Sequence, residues 1–191
     1  MTRDDFRTRM DTVQSLISRG LLYYSVWHAL WPNSNGMRAL VELGDFFGPV
    51  RIALFENILV QFGKILSPDP DIPSLINLLD AATLEKDILI PTSDLKELAQ
   101  LREQIQNDST TLATLERFRG EHIVRLDSIP TEDMTVRKGD VEKLVTGTKT
   151  SFSRLFSMHH LSGPRWSNRP DRSNLAASLV LDILEDEVGK M

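Results

Sequence analysis

The chain has 191 residues, of which 41% are hydrophobic and 26% are charged, a composition typical of a folded globular protein. Its 22 Lys and Arg residues against 27 Asp and Glu residues give a net charge of −5, which argues against a surface that coats nucleic acid or anionic lipid over its whole extent. The absence of cysteine excludes disulfides, thiol catalysis, thiolate zinc sites and iron–sulfur clusters. The length predicts a single domain, residues 1–191.

Positive charge is concentrated in one part of the chain. Residues 137–172 contain eight Lys and Arg but three Asp and Glu, a net charge of +5, so the remaining residues carry −10. A cationic region on an acidic body favours one face that meets a partner, rather than a uniformly adhesive surface.

Apolar side chains recur at steps of three and four through most of the chain, which predicts an all-α fold, an up-and-down helical bundle with extra short helices. A first helix is predicted over residues 4–30, and a second over 47–65 with Pro49 in its first turn. Ser74 caps a predicted helix that ends at Leu84, and the next is predicted over 95–107. Asp108 and Ser109 are predicted to cap a separate helix that continues to Leu126.

The clearest helical pattern covers residues 140–160, and it is followed by a predicted loop over 162–174 and a last helix over 174–188. No alternating pattern predicts a strand. The most apolar stretch, residues 21–31, is too short to span a bilayer, and the first ten residues lack an apolar signal core. We therefore expect a cytoplasmic protein with no membrane partner.

Most catalytic signatures are missing from this sequence. There is no glycine-rich phosphate loop, no serine-hydrolase elbow and no zinc-binding His pair at helical spacing. His159 and His160 are adjacent, so on a helix they point about 100° apart and are poor joint ligands. We expect no metal site and no cofactor.

An unusual charged segment, residues 116–127, contains His122 between Arg119 and Arg125 at three-residue steps. Neighbouring guanidinium groups disfavour the imidazolium, which leaves a neutral His able to accept a proton, and they can also hold a phosphate. This arrangement suits cleavage of a phosphodiester without a metal. The alternative is a solvated helix face, because Glu121 is spaced to pair with Arg117 and Arg125.

The same segment resembles the signature of the HEPN superfamily of helical domains, in its abortive-infection-U-like branch. In this resemblance Arg119 matches the motif Arg, Gly120 the polar position and Arg125 the motif His, followed by the matching pair Leu126 and Asp127. A second stretch, residues 46–70, is similar to the long apolar helix of that family.

The resemblance implies a homodimer in a phage-defence or toxin–antitoxin setting, with an antitoxin or a nucleotidyltransferase as possible partner. It also implies metal-independent endoribonuclease activity from the motif Arg and His. Arg125 cannot act as the base because a guanidinium group stays protonated, and His122 lies one turn earlier. Two hypotheses follow: a nuclease that uses Arg119, His122 and Arg125, or a degenerate module that binds RNA, a nucleotide or a protein without cutting.

Two other groups are candidates for binding. Trp166, with Arg165, Arg169 and Arg172, forms a basic loop suited to single-stranded RNA, although surface loops without a partner have a similar composition. An aromatic patch at the end of the first helix favours core or dimer packing, with His28 as a hydrogen-bonded core residue. The patch comprises Tyr23, Tyr24, Trp27, His28 and Trp31. On the second helix, Asn57, Gln61 and Lys64 share one side, which either lines the cleft of Arg119 or faces water.

Overall fold

A computed structural model describes residues 1–31, 43–91, 94–118 and 131–160, together with Pro164 and Trp166; in 131–137 and at 160 it describes the backbone alone. Six helices follow one another in these ranges, and the same ranges contain no strand, which confirms the predicted all-α helical bundle. The helices are α1 (Arg3–Ala29), α2 (Gly44–Ile65), α3 (Leu75–Leu84), α4 (Lys86–Leu89), α5 (Leu95–Phe118) and α6 (Thr131–His160).

Helix α1 forms where the spacing predicts it, and its start is fixed by a capping box. The Thr2 hydroxyl accepts from the backbone N–H of Asp5 at 3.2 Å, while the Asp5 carboxylate accepts from the backbone N–H of Thr2 at 3.4 Å. The buried side of the helix follows the predicted stripe, with Phe6, Met10 and Val13 fully buried. The capping box and the stripe of buried residues therefore indicate the same start for α1.

Helix α2 begins at Gly44, one turn earlier than the sequence predicts, so Pro49 lies inside the helix rather than in its first turn. Proline lacks the N–H that would bond to the carbonyl of Asp45, and α2 therefore has one hydrogen bond fewer at this point. The burial of Phe55, Ile58 and Phe62 compensates for this loss, because α2 provides much of the core.

The short helices α3 and α4 connect α2 to α5. Ser74 caps α3 as predicted, since its hydroxyl accepts from the backbone N–H of Asn77 at 3.2 Å. Helix α4 has only four residues and was not anticipated by the periodicity. Asp94 precedes α5 and accepts from the backbone N–H of Lys96 at 3.1 Å, which orders the start of that helix.

The prediction that Asp108 and Ser109 cap a new helix is wrong. Helix α5 runs without a break from Leu95 to Phe118, and both residues lie in its middle. The Ser109 hydroxyl donates to the carbonyl of Ile105 at 2.9 Å, and the Asp108 side chain is buried against α6. Asp and Ser are common at helix caps because their side chains form hydrogen bonds readily. Here both side chains form such bonds from the middle of a helix.

Helix α6 also starts earlier than predicted, at Thr131 rather than near residue 140. Residues 131–140 are mostly polar and include Gly139, so their sequence shows no apolar stripe. Their backbone is nevertheless helical throughout. The predicted stripe itself is correct: Val141, Leu144 and Phe152 are fully or almost fully buried.

One apolar cluster with side chains from all six helices forms the core. Helix α1 packs along α2, and α5 packs along α6. None of the helices in the described ranges combines the length and apolarity that a membrane span requires. The predicted last helix, 174–188, and the loop over 162–174, apart from Pro164 and Trp166, lie outside the described residues.

The α1–α2 pair has its closest approach at Gly20. A Cβ at this position would lie 2.8 Å from Cε2 of Phe62, whose ring is fully buried. Glycine is therefore required here by the distance between the two helices, because a buried aromatic ring cannot move aside without opening space elsewhere.

We expect Gly20→Ala to lower the free energy of unfolding by about 1–3 kcal/mol, since it overpacks the contact with Phe62. Gly139→Ala is the matched control, because a Cβ there meets nothing within 4 Å. In that helix interior alanine should raise stability by roughly 0.5–1 kcal/mol. Urea denaturation of both variants measures the difference, and equal effects of the two substitutions would contradict the close contact.

Candidate nucleic-acid interface

The predicted catalytic residues Arg119, His122 and Arg125 lie outside the described residues, in the segment that joins α5 to α6. Of the predicted RNA-binding loop, Arg165, Arg169 and Arg172 also lie outside, and Trp166 alone is placed. The candidate interface is therefore built from Trp166 and from the surface of the two helices on either side of segment 119–130.

Helices α5 and α6 border an open groove that consists of two depressions of about 600 Å³ and about 610 Å³. The two depressions share Thr146 and so form one continuous feature, which we call the α5–α6 groove. Most of its lining residues are of polar type, and its members on α5 are Glu97, Gln104, Asn107, Asp108 and Thr111.

The α6 side of the groove follows a single stripe of the helix. Its members are spaced by alternating steps of four and three, which keeps them on one face: Gly139, Lys143, Thr146, Thr150, Ser153 and Ser157. All but Lys143 have small side chains, so a ligand can approach the backbone of α6 closely along this stripe.

Some hydroxyl groups of this stripe donate their hydrogen bonds to backbone carbonyls of α6 itself. Ser153 donates to the carbonyl of Lys149 and Ser157 donates to the carbonyl of Ser153, both at 2.8 Å. On the opposite wall Thr111 donates to the carbonyl of Asn107 at 3.0 Å. The hydroxyl oxygens keep free lone pairs, so these side chains offer acceptors to a ligand that brings its own donors.

The groove also contains cations. Within the described residues, Lys143 and Lys149 have no carboxylate partner. Arg154 is different, because its Nη2 lies 3.2 Å from Oε1 of Glu97 across the groove, and the pair is partly exposed. The two lysines are therefore the cations without an ion pair in the described part of the groove, whose lining also includes the acidic residues Glu97, Asp108 and Glu142.

Trp166 lies against α6 next to this groove. Its ring centroid is 5.9 Å from that of Phe152, and the Lys149 ammonium lies 5.8 Å from the centroid of the indole. The indole is partly exposed, so it packs against the bundle and still offers aromatic surface. Lys149 thus lines the groove and contacts Trp166 of the predicted RNA-binding loop.

Asp108 is the most unusual group of the groove. Its side chain is 4% exposed, and its two oxygens accept from Gln104 Nε2 at 3.0 Å and from Thr148 Oγ1 at 3.3 Å. Burial raises the pKa of Asp108 to about 6, although the two hydrogen bonds favour the charged form. Asp108 therefore changes its protonation near neutral pH, unlike an exposed carboxylate.

Gly147 makes this position of Asp108 possible. A Cβ on Gly147 would lie 2.3 Å from Oδ1 of Asp108, a distance that no side chain can tolerate. The carboxylate therefore occupies the space that a side chain of α6 would otherwise fill. Glycine at this point brings α5 and α6 together and seats the carboxylate between them.

The histidines and polar residues singled out in the sequence have different environments. His159 is buried, with Nδ1 2.7 Å from the carbonyl oxygen of Leu89. His28 is half-buried beside Tyr24, and burial, with a smaller effect of Lys138, lowers its pKa. In the described ranges no three His, Asp or Glu side chains are grouped as metal ligands.

The three polar residues of α2 do not line a common cleft with one another. Gln61 is buried, whereas Asn57 and Lys64 are exposed to solvent. Asn57 and Lys64 thus face water, one of the two predicted alternatives, whereas Gln61 lies on the wide buried side of α2. Arg119 lies outside the described residues, so a cleft shared with it stays a prediction.

Comparison of the chain with protein-family models, with curated proteins and with solved structures gives no match. The resemblance to HEPN domains therefore stays a prediction from residues 116–127 and 46–70, and the function is inferred from the groove.

Asp108 was not recognised as a functional candidate from the sequence, because an Asp followed by Ser is the usual signal of a helix cap. The residue that reveals its role, Thr148, is 40 positions away. The α6 stripe corresponds to a seven-residue repeat of mostly small polar residues in the sequence. Apolar periodicity, which predicts the helices, does not detect such a repeat.

We expect the Asp108 carboxyl to make stability depend on pH. The pKa of Asp108 in the folded chain is about 6, above the ordinary value of 3.8, so between these values the folded state holds a proton that the unfolded state releases. The free energy of unfolding should therefore fall as pH rises through about 6. Asp108→Asn should remove this loss and become more stable than the parent above pH 7, by about 1 kcal/mol.

Urea denaturation at a series of pH values between 4 and 8 measures this effect. The control is Asp11→Asn, at an exposed position of α1, which should shift stability equally at all these pH values. Parallel pH profiles for the parent and Asp108→Asn would contradict a buried carboxyl with a raised pKa.

Proposed function

We propose that the protein is a HEPN-like helical bundle that binds single-stranded RNA along the α5–α6 groove. The observation that carries this proposal is the pair of lysines without carboxylate partners, Lys143 and Lys149, in a groove lined by hydroxyl groups and flanked by Trp166. Ammonium groups attract phosphates, and an exposed aromatic surface lets bases stack.

The chemistry of the stripe favours RNA over DNA. The hydroxyl groups of Ser153 and Ser157 donate to their own helix, which leaves their oxygens as acceptors. A ribose 2′-hydroxyl is a donor that deoxyribose lacks, so RNA can use these acceptors and DNA cannot. The predicted loop arginines Arg165, Arg169 and Arg172 extend the same cationic region along the sequence.

To test RNA binding, we would measure fluorescence anisotropy of a labelled single-stranded RNA with the parent and with the double variant Lys143→Gln/Lys149→Gln. The loss of two phosphate contacts should weaken binding about tenfold or more and reduce the slope of log K against log salt by about 1.4. DNA of the same sequence should bind more weakly than RNA to the parent protein.

The matched control is Lys64→Gln/Lys86→Gln, which removes the same charge from α2 and α4. This variant should retain the affinity within about twofold. If both double variants lose affinity equally, or if DNA binds as tightly as RNA, the proposed use of the groove is wrong.

A second candidate function is RNA cleavage by Arg119, His122 and Arg125 without a metal. It is favoured by their place in the chain, because segment 119–130 joins the two helices that border the groove. Thr111 lies seven residues before the end of α5, about 10 Å along the helix, so the groove extends towards this segment. An RNA bound in the groove would then be directed to the predicted catalytic residues.

For cleavage, we expect degradation of total RNA by the parent protein in excess chelator and its loss, by at least a hundredfold, in Arg119→Ala/His122→Ala. Arg19→Ala, an exposed arginine of α1, should cleave like the parent. Intact RNA with the parent protein would reject cleavage while leaving the binding experiment to decide the first proposal.

The remaining features of the proposal come from the resemblance to HEPN domains. We propose a homodimer that acts in the cytoplasm in phage defence by abortive infection, with an antitoxin or a nucleotidyltransferase as partner. In such a dimer the predicted Arg and His of two protomers would face one RNA.

A further inference from the structure

A second cationic surface lies on the other side of α6, where the end of α1 meets α2. Trp31 is 6% exposed, and its ring is in contact with two cations: Cζ of Arg51 is 5.8 Å from the ring centroid and Nζ of Lys138 is 5.5 Å from it. Trp27 packs against Trp31 with ring centroids 5.2 Å apart. We call these four residues the Trp31 cluster.

The Trp31 cluster contains several donors that lack acceptors. The indole Nε1 atoms of Trp27 and Trp31 and the Nε of Arg51 are buried and have no hydrogen-bond partner in the part of the chain that the structure describes. A buried N–H without an acceptor costs free energy, and native proteins leave few of them unpaired. Three such donors lie on residues that contact one another, and none of them has an acceptor among the described residues.

The charges of the cluster are also uncompensated. Among the described residues, neither Arg51 nor Lys138 is in an ion pair with a carboxylate. Burial lowers the pKa of Arg51, and no neighbouring acidic group offsets this effect. Glu142, one turn after Lys138 on α6, acts on Tyr24 and, like Lys138, on His28, but it forms no ion pair with Lys138. A half-buried guanidinium without a counter-ion is unusual because its desolvation is not repaid.

We infer that the Trp31 cluster is a binding site for a phosphate group. Two positive charges suit a phosphate monoester or inorganic phosphate, whose charge near pH 7 is about −1.5 to −2. A tetrahedral group with several acceptor oxygens can reach donors on different sides, as guanidinium and indole N–H groups require. Access is from the side of Arg51 and Lys138, both of which are partly exposed.

This site is separate from the α5–α6 groove. None of its four residues lines the groove, and the groove lysines Lys143 and Lys149 lie about 7.5 Å and about 16.5 Å further along α6 than Lys138. The inference therefore does not depend on the proposed function, and either can fail without the other.

The test uses the full chain with Trp166→Phe, so that Trp27 and Trp31 are the remaining fluorophores. Inorganic phosphate is titrated at constant ionic strength against sodium chloride, and a nucleoside 5′-monophosphate and its unphosphorylated nucleoside form two further arms. We expect a saturable change in fluorescence with inorganic phosphate or with the monophosphate, and none with the nucleoside. Tighter binding of the monophosphate would identify a phosphomonoester as the source of the group, and equal or weaker binding would identify free phosphate.

Arg51→Gln should weaken binding at least tenfold, and Lys138→Gln at least threefold. Arg19→Gln, an exposed position of α1, is the matched control and should bind like the parent. Circular dichroism checks that each variant is folded. If Arg51→Gln does not fold, the phosphate affinity of Lys138→Gln tests the assignment. The absence of any saturable response, or unchanged affinity in the folded variants, would overturn the assignment.

Discussion

The close approach of α5 and α6 at Gly147 is the constraint on which the candidate interface depends. Because Gly147 has no side chain, the Asp108 carboxylate enters the space between the helices and is held by Gln104 and Thr148. Buried apolar residues of both helices, such as Leu112 and Leu144, belong to the same core cluster. The polar groove above this contact exists because the two helices stay close over several turns.

Helix α6 connects the two surfaces to which we assign anionic ligands. Lys143 and Lys149 line the α5–α6 groove, Lys138 lies over the ring of Trp31, and Val141 and Leu144 pack into the core. The three described lysines of α6 thus belong to two places rather than to one patch. A single long helix can do this because its side chains point in all directions around the axis.

The overall fold was largely predictable from the sequence because apolar spacing and caps agree in most helices. For α1 the stripe that begins at Phe6 and the Thr2 cap indicate the same start. The errors occur where a polar residue serves a distant contact: Asp108 resembles a cap in its local sequence, but its partner Thr148 belongs to another helix. Local patterns carry no information about such a partner.

The candidate site could be predicted only in part. The cationic region and Trp166 stand out in the sequence, whereas the groove requires the packing of α5 on α6, which no local pattern reveals. The two indole N–H groups without acceptors are equally invisible in the sequence, because tryptophan at the end of a helix is typical of an ordinary core.

Because α5 is continuous, the length of its lining determines how long a segment of ligand the groove can hold. From Glu97 to Thr111 the lining residues cover 14 helical steps, which corresponds to about 21 Å. A length of this order accommodates roughly four nucleotides, the lower end of the site sizes seen in single-strand binding folds. A longer strand must therefore leave the groove at one end, and one of those ends leads towards residues 119–130.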